Sequence, residues 1–332
     1  MLPYIAKLLC LSLASFFLIH LALALLVSFA TPAALRIAAR NRPAWSARFL
    51  LSIRMFPAGF GVLVVAGLCV PSYLWLEPKT AASEGIGWLC LCFSILTAAL
   101  WVVSITRAWR AAARSMHYLQ RCRRNGRRAD LPGEHCVWMM EQPAALFAMA
   151  GITRPSLLIS RQVMSVLSAD QLAAAMQHER AHWTSRDNLK RLFLLLAPGV
   201  LPFLGGFARL ERGWAQYSER AADDCAVAGD ARRSLSLATA LVLVRRLGIA
   251  RGATALLSPL LADDDDLAAR VQRLLTVQSP ADNGSGGWMG SVGWMGCLVT
   301  GAAIILFGAV IVTGLRPALL YQVHRVLEHL IQ

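Results

Sequence analysis

Charged residues are scarce in this sequence, and acidic residues are scarcer than basic ones. Of its 332 residues, 16% are charged and 57% are hydrophobic, and 19 Asp and Glu stand against 33 Lys and Arg. This composition lies outside the range of soluble globular proteins and indicates a membrane protein. A net charge of +14 also occurs in nucleic-acid binders. No zinc-finger or RNA-binding signature accompanies it here, so we expect no nucleic-acid partner.

Paired cysteine motifs are missing as well. None of the eight cysteines forms a C-x-x-C pair, the spacing typical of redox centres and cysteine-rich zinc sites. We interpret the cysteines as small apolar residues that fill space.

Long apolar runs, by contrast, are abundant and predict four membrane-spanning helices. About 20 apolar residues are needed to cross the hydrocarbon core of a bilayer. Runs of this kind lie at about 8–30, 56–76 and 86–106, and a fourth follows a linker within 281–315. A cleaved signal peptide is the alternative interpretation of the first run. Residues 316–332 are then expected to form a short external tail.

The distribution of arginine predicts the orientation in the membrane. Basic residues cluster before the second span and after the third: Arg36, Arg40, Arg42, Arg48 and Arg54, then Arg107, Arg110, Arg114, Arg121, Arg123, Arg124, Arg127 and Arg128. Short cytoplasmic segments are enriched in Lys and Arg. We therefore expect the amino terminus outside and the region between spans three and four in the cytoplasm, with 107–130 as a basic juxtamembrane segment that meets anionic lipid.

The motif His178-Glu179-Arg180-Ala181-His182 is the centre of the functional prediction. Ser168 and Gln171 form a capping-box pattern ahead of it, so the motif is predicted to lie on a helix. On a helix His178 and His182 are one turn apart on one face and can bind one metal ion, while Glu179 lies beside that ion. These positions suit two ligands and a general base.

A catalytic zinc ion needs a third protein ligand and an open position for water. Glu219 is our candidate, on a second predicted helix that ends near Gly229. Asp223 and Asp187 are candidates for accepting the outward N–H groups of the ligand histidines, which fixes their tautomer. A solvated charge on an exposed face is the alternative for Asp223.

Short strands are predicted over 135–160, just before the metal-binding helix. An extended substrate can add to the edge of a sheet, and we name Leu157, Leu158, Ile159 and Ser160 as the candidate substrate-binding edge. The alternative is a strand that only covers the helix.

The apolar run 192–210 sets a topological condition. A single crossing there would place Glu219 and His178 on opposite sides of the membrane, where they cannot share a metal. The prolines and glycines inside the run favour a re-entrant or interfacial segment, or one packed in the domain core.

At these motifs the chain resembles the BlaR/MecR-type integral-membrane zinc metallopeptidases, and the HtpX and CAAX-prenyl-protease group is the second resemblance. The similarity covers roughly residues 130–275. It implies a mostly α-helical bacterial inner-membrane protein whose cytoplasmic α+β, zincin-like (gluzincin) peptidase domain, here 131–280, binds one Zn²⁺. The implied partner is a protein or peptide substrate, for example a cytoplasmic repressor. The S-x-x-K serine motif of β-lactam sensors is missing, so we expect no penicillin-binding sensor function.

The predicted reaction is peptide-bond hydrolysis by a zinc-activated water, with Glu179 as the base. Two alternatives stay open: a non-catalytic zinc-binding membrane signalling protein, and an HtpX-like quality-control protease. The sequence predicts no oligomeric state.

Overall fold

The structure is a computed structural model. It describes residues 2–77, 86–131, 134–141, 146–152, 156–199, 205–247, 258–259 and 264–276, with 316, 318, 320–323 and 325–326. The helices are α1 (Leu2–Ala39), α2 (Pro43–Val64), α3 (Val70–Leu76), α4 (Trp88–Asn125), α5 (Arg161–Val166), α6 (Ala169–Thr184), α7 (Asp187–Leu196), α8 (Gly206–Val227), α9 (Ala231–Arg246) and α10 (Asp264–Thr276). The strands are β1 (Arg127–Leu131), β2 (Glu134–Met140), β3 (Phe147–Ala150), β4 (Ser156–Ser160) and β5 (Ser258–Pro259).

Among the described residues, three helical segments are long and apolar enough to cross a membrane. They are Tyr4–Ala39, Pro43–Leu76 and Trp88–Asn125, with 34 to 38 residues each, and a π-helical turn joins α2 to α3 in the second. Each is about 50 to 57 Å long, well over the bilayer core of about 30 Å. The helices therefore extend beyond the predicted spans 8–30, 56–76 and 86–106, and they continue through arginine-rich turns.

Two sequence assignments change with these bounds. Arg54, placed in a loop by its charge, lies inside α2, and the turn between α1 and α2 shrinks to Arg40–Arg42. The basic segment 107–130 ends in a strand, since α4 stops at Asn125 and β1 starts at Arg127. The predicted fourth span lies outside the described residues.

The sheet has the strand order β1-β2-β4-β3-β5. Strand β4 pairs in parallel with β2 and antiparallel with β3, and all five of its residues are buried. The prediction that Leu157–Ser160 is an exposed edge is therefore wrong, because neighbouring strands occupy both of its sides. A continuous buried run of this kind is typical of an interior strand.

The sheet is packed on both faces. One face contacts α6 and α9 through a core that includes Leu157, Ile159, Ala175 and Leu241. The other face contacts the end of α4, where Leu119 and Cys122 pack on Met140, Ala148 and Leu158. The sheet and the helices on it are thus built directly on the extension of the third candidate membrane-spanning helix.

The described parts of the apolar run 192–210 belong to two separate helices. Helix α7 ends at Leu196 and packs against α4, and α8 begins at Gly206 and packs against α1 and α2. A Cβ atom on Gly206 would lie 2.8 Å from Cα of Ser28 in α1. Only glycine therefore allows α8 to start this close to the membrane-spanning bundle.

Candidate metal centre

The local sequence builds α6 as predicted. Ser168 Oγ accepts a hydrogen bond from the backbone N–H of Gln171, and Gln171 Oε1 accepts one from the N–H of Ser168. This capping box starts the helix and leaves His178 and His182 one turn apart and buried.

The three candidate ligands meet across two helices. Nε2 of His178 and Nε2 of His182 are 3.2 Å apart, and each lies 3.5 Å from a carboxylate oxygen of Glu219 on α8. Ligand atoms about 2.0–2.1 Å from a tetrahedral zinc ion are separated by about 3.3 Å. Among the described residues, neither oxygen of the buried Glu219 receives a hydrogen bond. Nitrogen and oxygen donors at this spacing fit a zinc ion.

Two aspartates contact the outer nitrogens of the histidines. Oδ1 of Asp223 lies 3.0 Å from Nδ1 of His178, and Oδ2 of Asp187 lies 2.7 Å from Nδ1 of His182. Ser218 also donates a hydrogen bond to Asp187. A carboxylate at Nδ1 favours the tautomer whose Nε2 lone pair is available to a metal.

Arg270 is a site residue that the sequence interpretation missed. Its guanidinium donates two hydrogen bonds to Asp223, of 2.9 and 2.7 Å, and its Nη1 lies 3.2 Å from Oε2 of Glu219. Arg270 belongs to α10, outside the motifs that the sequence interpretation used. No local sequence signal identifies it, because its burial is visible only in the structure.

Comparison with known proteins agrees with this geometry. Residues 113–255 match the sequence profile of peptidase family M48. This part of the chain is similar to M48 peptidases. Protease HtpX homolog of Salinibacter ruber (strain DSM 13855 / M31) is 33% identical over 100 residues, which is 30% of this chain and 36% of that protein. The chain thus matches about a third of the length of this curated relative. The expected resemblance to membrane zinc metallopeptidases is confirmed, and the relative comes from the second of the two groups named.

Glu179, the general-base candidate, is completely buried. Burial raises the pKa of Glu179 to about 7, although the neighbouring histidines oppose the shift. Oε2 of Glu179 accepts a 2.9 Å hydrogen bond from the backbone N–H of Met149 in β3. Its Oε1 is buried and has no hydrogen-bond partner among the described residues.

Acidic side chains around the candidate metal centre raise the pKa of both histidines. Burial disfavours a charged His182, but Glu219 and Asp187 outweigh it and raise its pKa to about 10. Burial alone would raise the pKa of Glu219, but His182, His178 and Arg270 lower it to well below its ordinary value. Without a metal, these groups form an internal ion-pair network that a divalent cation would replace.

A cavity of about 320 Å³ opens beside His182. Met149, Gly151 and Ile152 at the end of β3 form one wall, and Trp183 and Asn188 contribute to the other. Asn188 Nδ2 lies 3.0 Å from the carbonyl oxygen of Gly151 and donates to it. Strand β3, and not β4, therefore borders the candidate metal centre.

Proposed function

We propose that the protein is a membrane-bound zinc endopeptidase that hydrolyses peptide bonds of a cytoplasmic or membrane protein. The convergence of His178, His182 and Glu219 beside Glu179 carries this proposal. The M48 match supports a protease, and the three ligand atoms lie within 4.8 Å of one another.

A bound zinc ion would polarise the scissile carbonyl and lower the pKa of a water molecule. Residues of the chain would transfer the proton and orient the metal ligands. Glu179 accepts a proton from the water through its free Oε1 and delivers it to the leaving amine, a task suited to a pKa near 7. The Met149 N–H fixes the other oxygen of Glu179. Asp223 and Asp187 orient the two histidines.

The proposed location is the cytoplasmic side of a bacterial inner membrane. The arginine distribution supports this orientation, with a fourth span in the proposed topology. The approach of α7 and α8 to the bundle favours a shallow re-entrant segment at 192–210. Such a site lies near the inner leaflet, where a cytoplasmic repressor or a segment of a membrane protein could reach the cavity beside His182.

The test uses the full-length protein in detergent, with zinc content and casein cleavage measured together. Wild type should bind one zinc ion and cleave. Glu179→Gln should bind the same amount of zinc and lose at least about 10²-fold in rate. Cleavage by Glu179→Gln at the wild-type rate would remove Glu179 from the mechanism. A zinc-loaded wild type that cleaves nothing would favour the non-catalytic alternative.

A further inference from the structure

Arg54 is a buried charge on a helix that is otherwise suited to lipid. Its residue exposure is 4%, and it lies within the apolar segment Pro43–Leu76. Ionisable residues in such segments are expensive to bury and usually have a specific partner. The partners of Arg54 come from the α7–α8 region: Nε donates a 2.7 Å hydrogen bond to Oε1 of Glu211, Nη2 lies 3.4 Å from the carbonyl of Ala197, and the guanidinium covers the Phe207 ring at 4.2 Å.

Glu211 is on the same uninterrupted helix as the metal ligand Glu219. The two residues are eight positions apart in α8, which corresponds to about 12 Å along the helix axis. A hydrogen-bonded helix of this length is stiff, so a shift or rotation at Glu211 also moves Glu219. The charged contact with Arg54 therefore acts on the position of a ligand carboxylate that it does not touch.

The first half of α8 packs against α1 and α2, which form the membrane bundle together with α4. Leu210 and Trp214 are buried in one cluster with Leu50 of α2 and Val27 of α1. A Cβ atom on Gly213 would lie 2.9 Å from the side chain of Leu35 and 3.1 Å from the side chain of Leu50. These apolar contacts bring α8 close to α1 and α2, whereas the directional ion pair fixes its register along them.

The other two ligands have a different support. His178 and His182 are on α6, which packs against α9 and β3 as well as α8. The metal site is consequently assembled from α6, which packs in the core next to the sheet, and from α8, whose first half packs against α1 and α2 and whose last turn reaches that core through Ala226 and Val227. A zinc–oxygen bond of about 2.0–2.2 Å tolerates little displacement between the two.

We infer that the Arg54–Glu211 ion pair is a positioning device, which couples the membrane-spanning helices to the zinc site by fixing where α8 presents Glu219. This inference rests on the proposed zinc site and adds a dependence of metal binding on the bundle. Arg54 is a positioning residue and contacts no ligand of the metal.

The test measures zinc affinity of the full-length protein in detergent by competition with a chromophoric chelator. Arg54→Met should weaken zinc binding by about tenfold or more, the effect of disturbing residues that support a ligand. The charge-exchanged double variant, Arg54→Glu with Glu211→Arg, should recover part of the loss. Should Arg54→Met fail to fold, the milder Glu211→Gln takes its place with the same expected direction, because Glu211 is partly exposed.

Two control variants separate positioning from general destabilisation. Lys7→Met breaks another buried ion pair of the bundle, Lys7–Glu77 at 2.9 Å, on helices α1 and the end of the second span. Arg48→Met removes an exposed arginine from α2. Both should leave zinc affinity within about twofold of wild type, a change well inside the effects expected for distant sites. Equal zinc affinity in wild type and a folded Arg54→Met, or an equal loss in Lys7→Met, would overturn the inference. Failure of the wild type to bind zinc would instead overturn the proposed function.

Discussion

Asp187 offers the clearest quantitative test of the site. It is 3% exposed and lies within 2.7 to 2.8 Å of the donors of His182, Ser218 and Lys190. Burial alone would raise its pKa, but the hydrogen bond and charge of His182, with Lys190, lower it from 3.8 to about 2. Each pKa unit corresponds to about 1.4 kcal/mol, so the ionised carboxylate contributes about 2 to 3 kcal/mol to folding.

Asp187→Asn keeps the shape of the side chain and removes the charge. We expect the free energy of unfolding of the metal-free protein at pH 7 to fall by about 2 to 3 kcal/mol. Zinc affinity should fall by about 10- to 100-fold because His182 loses its orienting acceptor. The same substitution at the exposed Asp170, on the neighbouring helix α6, is the control and should change little.

The pH dependence gives the sign of the effect. The pKa of Asp187 is lower in the folded protein than in the unfolded chain, so the stabilisation is complete above pH of about 4 and disappears as the pH falls toward about 2. The stability difference between wild type and Asp187→Asn should shrink over that window. Denaturant unfolding at several pH values measures it. Equal stability and equal zinc affinity at pH 7 would refute the role of Asp187.

Three further predictions concern the network and the sheet. Arg270→Met should lower the free energy of unfolding by about 3 to 5 kcal/mol, since it leaves Asp223 and Glu219 buried without their cation. Arg270→Lys should recover only part of this loss, and an unchanged unfolding curve for Arg270→Met would contradict the contact. Zinc binding at pH 7 should release at least one proton, because the metal-free His182 is protonated, and calorimetric heats that do not depend on the buffer would contradict this. Leu158→Ala should reduce the unfolding free energy by about 2 to 5 kcal/mol, the cost of a cavity in an interior strand, whereas a loss under about 1 kcal/mol would indicate an edge.

The parts of the site that sequence could predict are those set by local spacing. The capping box and the one-turn separation of His178 and His182 follow from the geometry of a single helix. Glu219 follows from the need of a metal ion for a third ligand, together with the condition that the run 192–210 must return to the side it left.

The missed features depend on contacts between distant residues. Arg270 lies 47 positions after Asp223, and nothing in the local pattern of α10 indicates that pairing. The sequence shows that residues 157–159 of β4 are apolar. It does not show that β2 and β3 both pair with this strand. Arg54 was assigned to a loop because of its charge, whereas its partner Glu211 is 157 positions away.

Zinc K-edge X-ray absorption of the zinc-loaded, full-length protein tests the central claim most directly. The account predicts only nitrogen and oxygen neighbours, at about 2.0 to 2.2 Å, with the scattering of two imidazole rings and the loss of one oxygen neighbour in Glu219→Ala. Sulfur neighbours at about 2.3 Å, or a spectrum without two imidazoles, would contradict it.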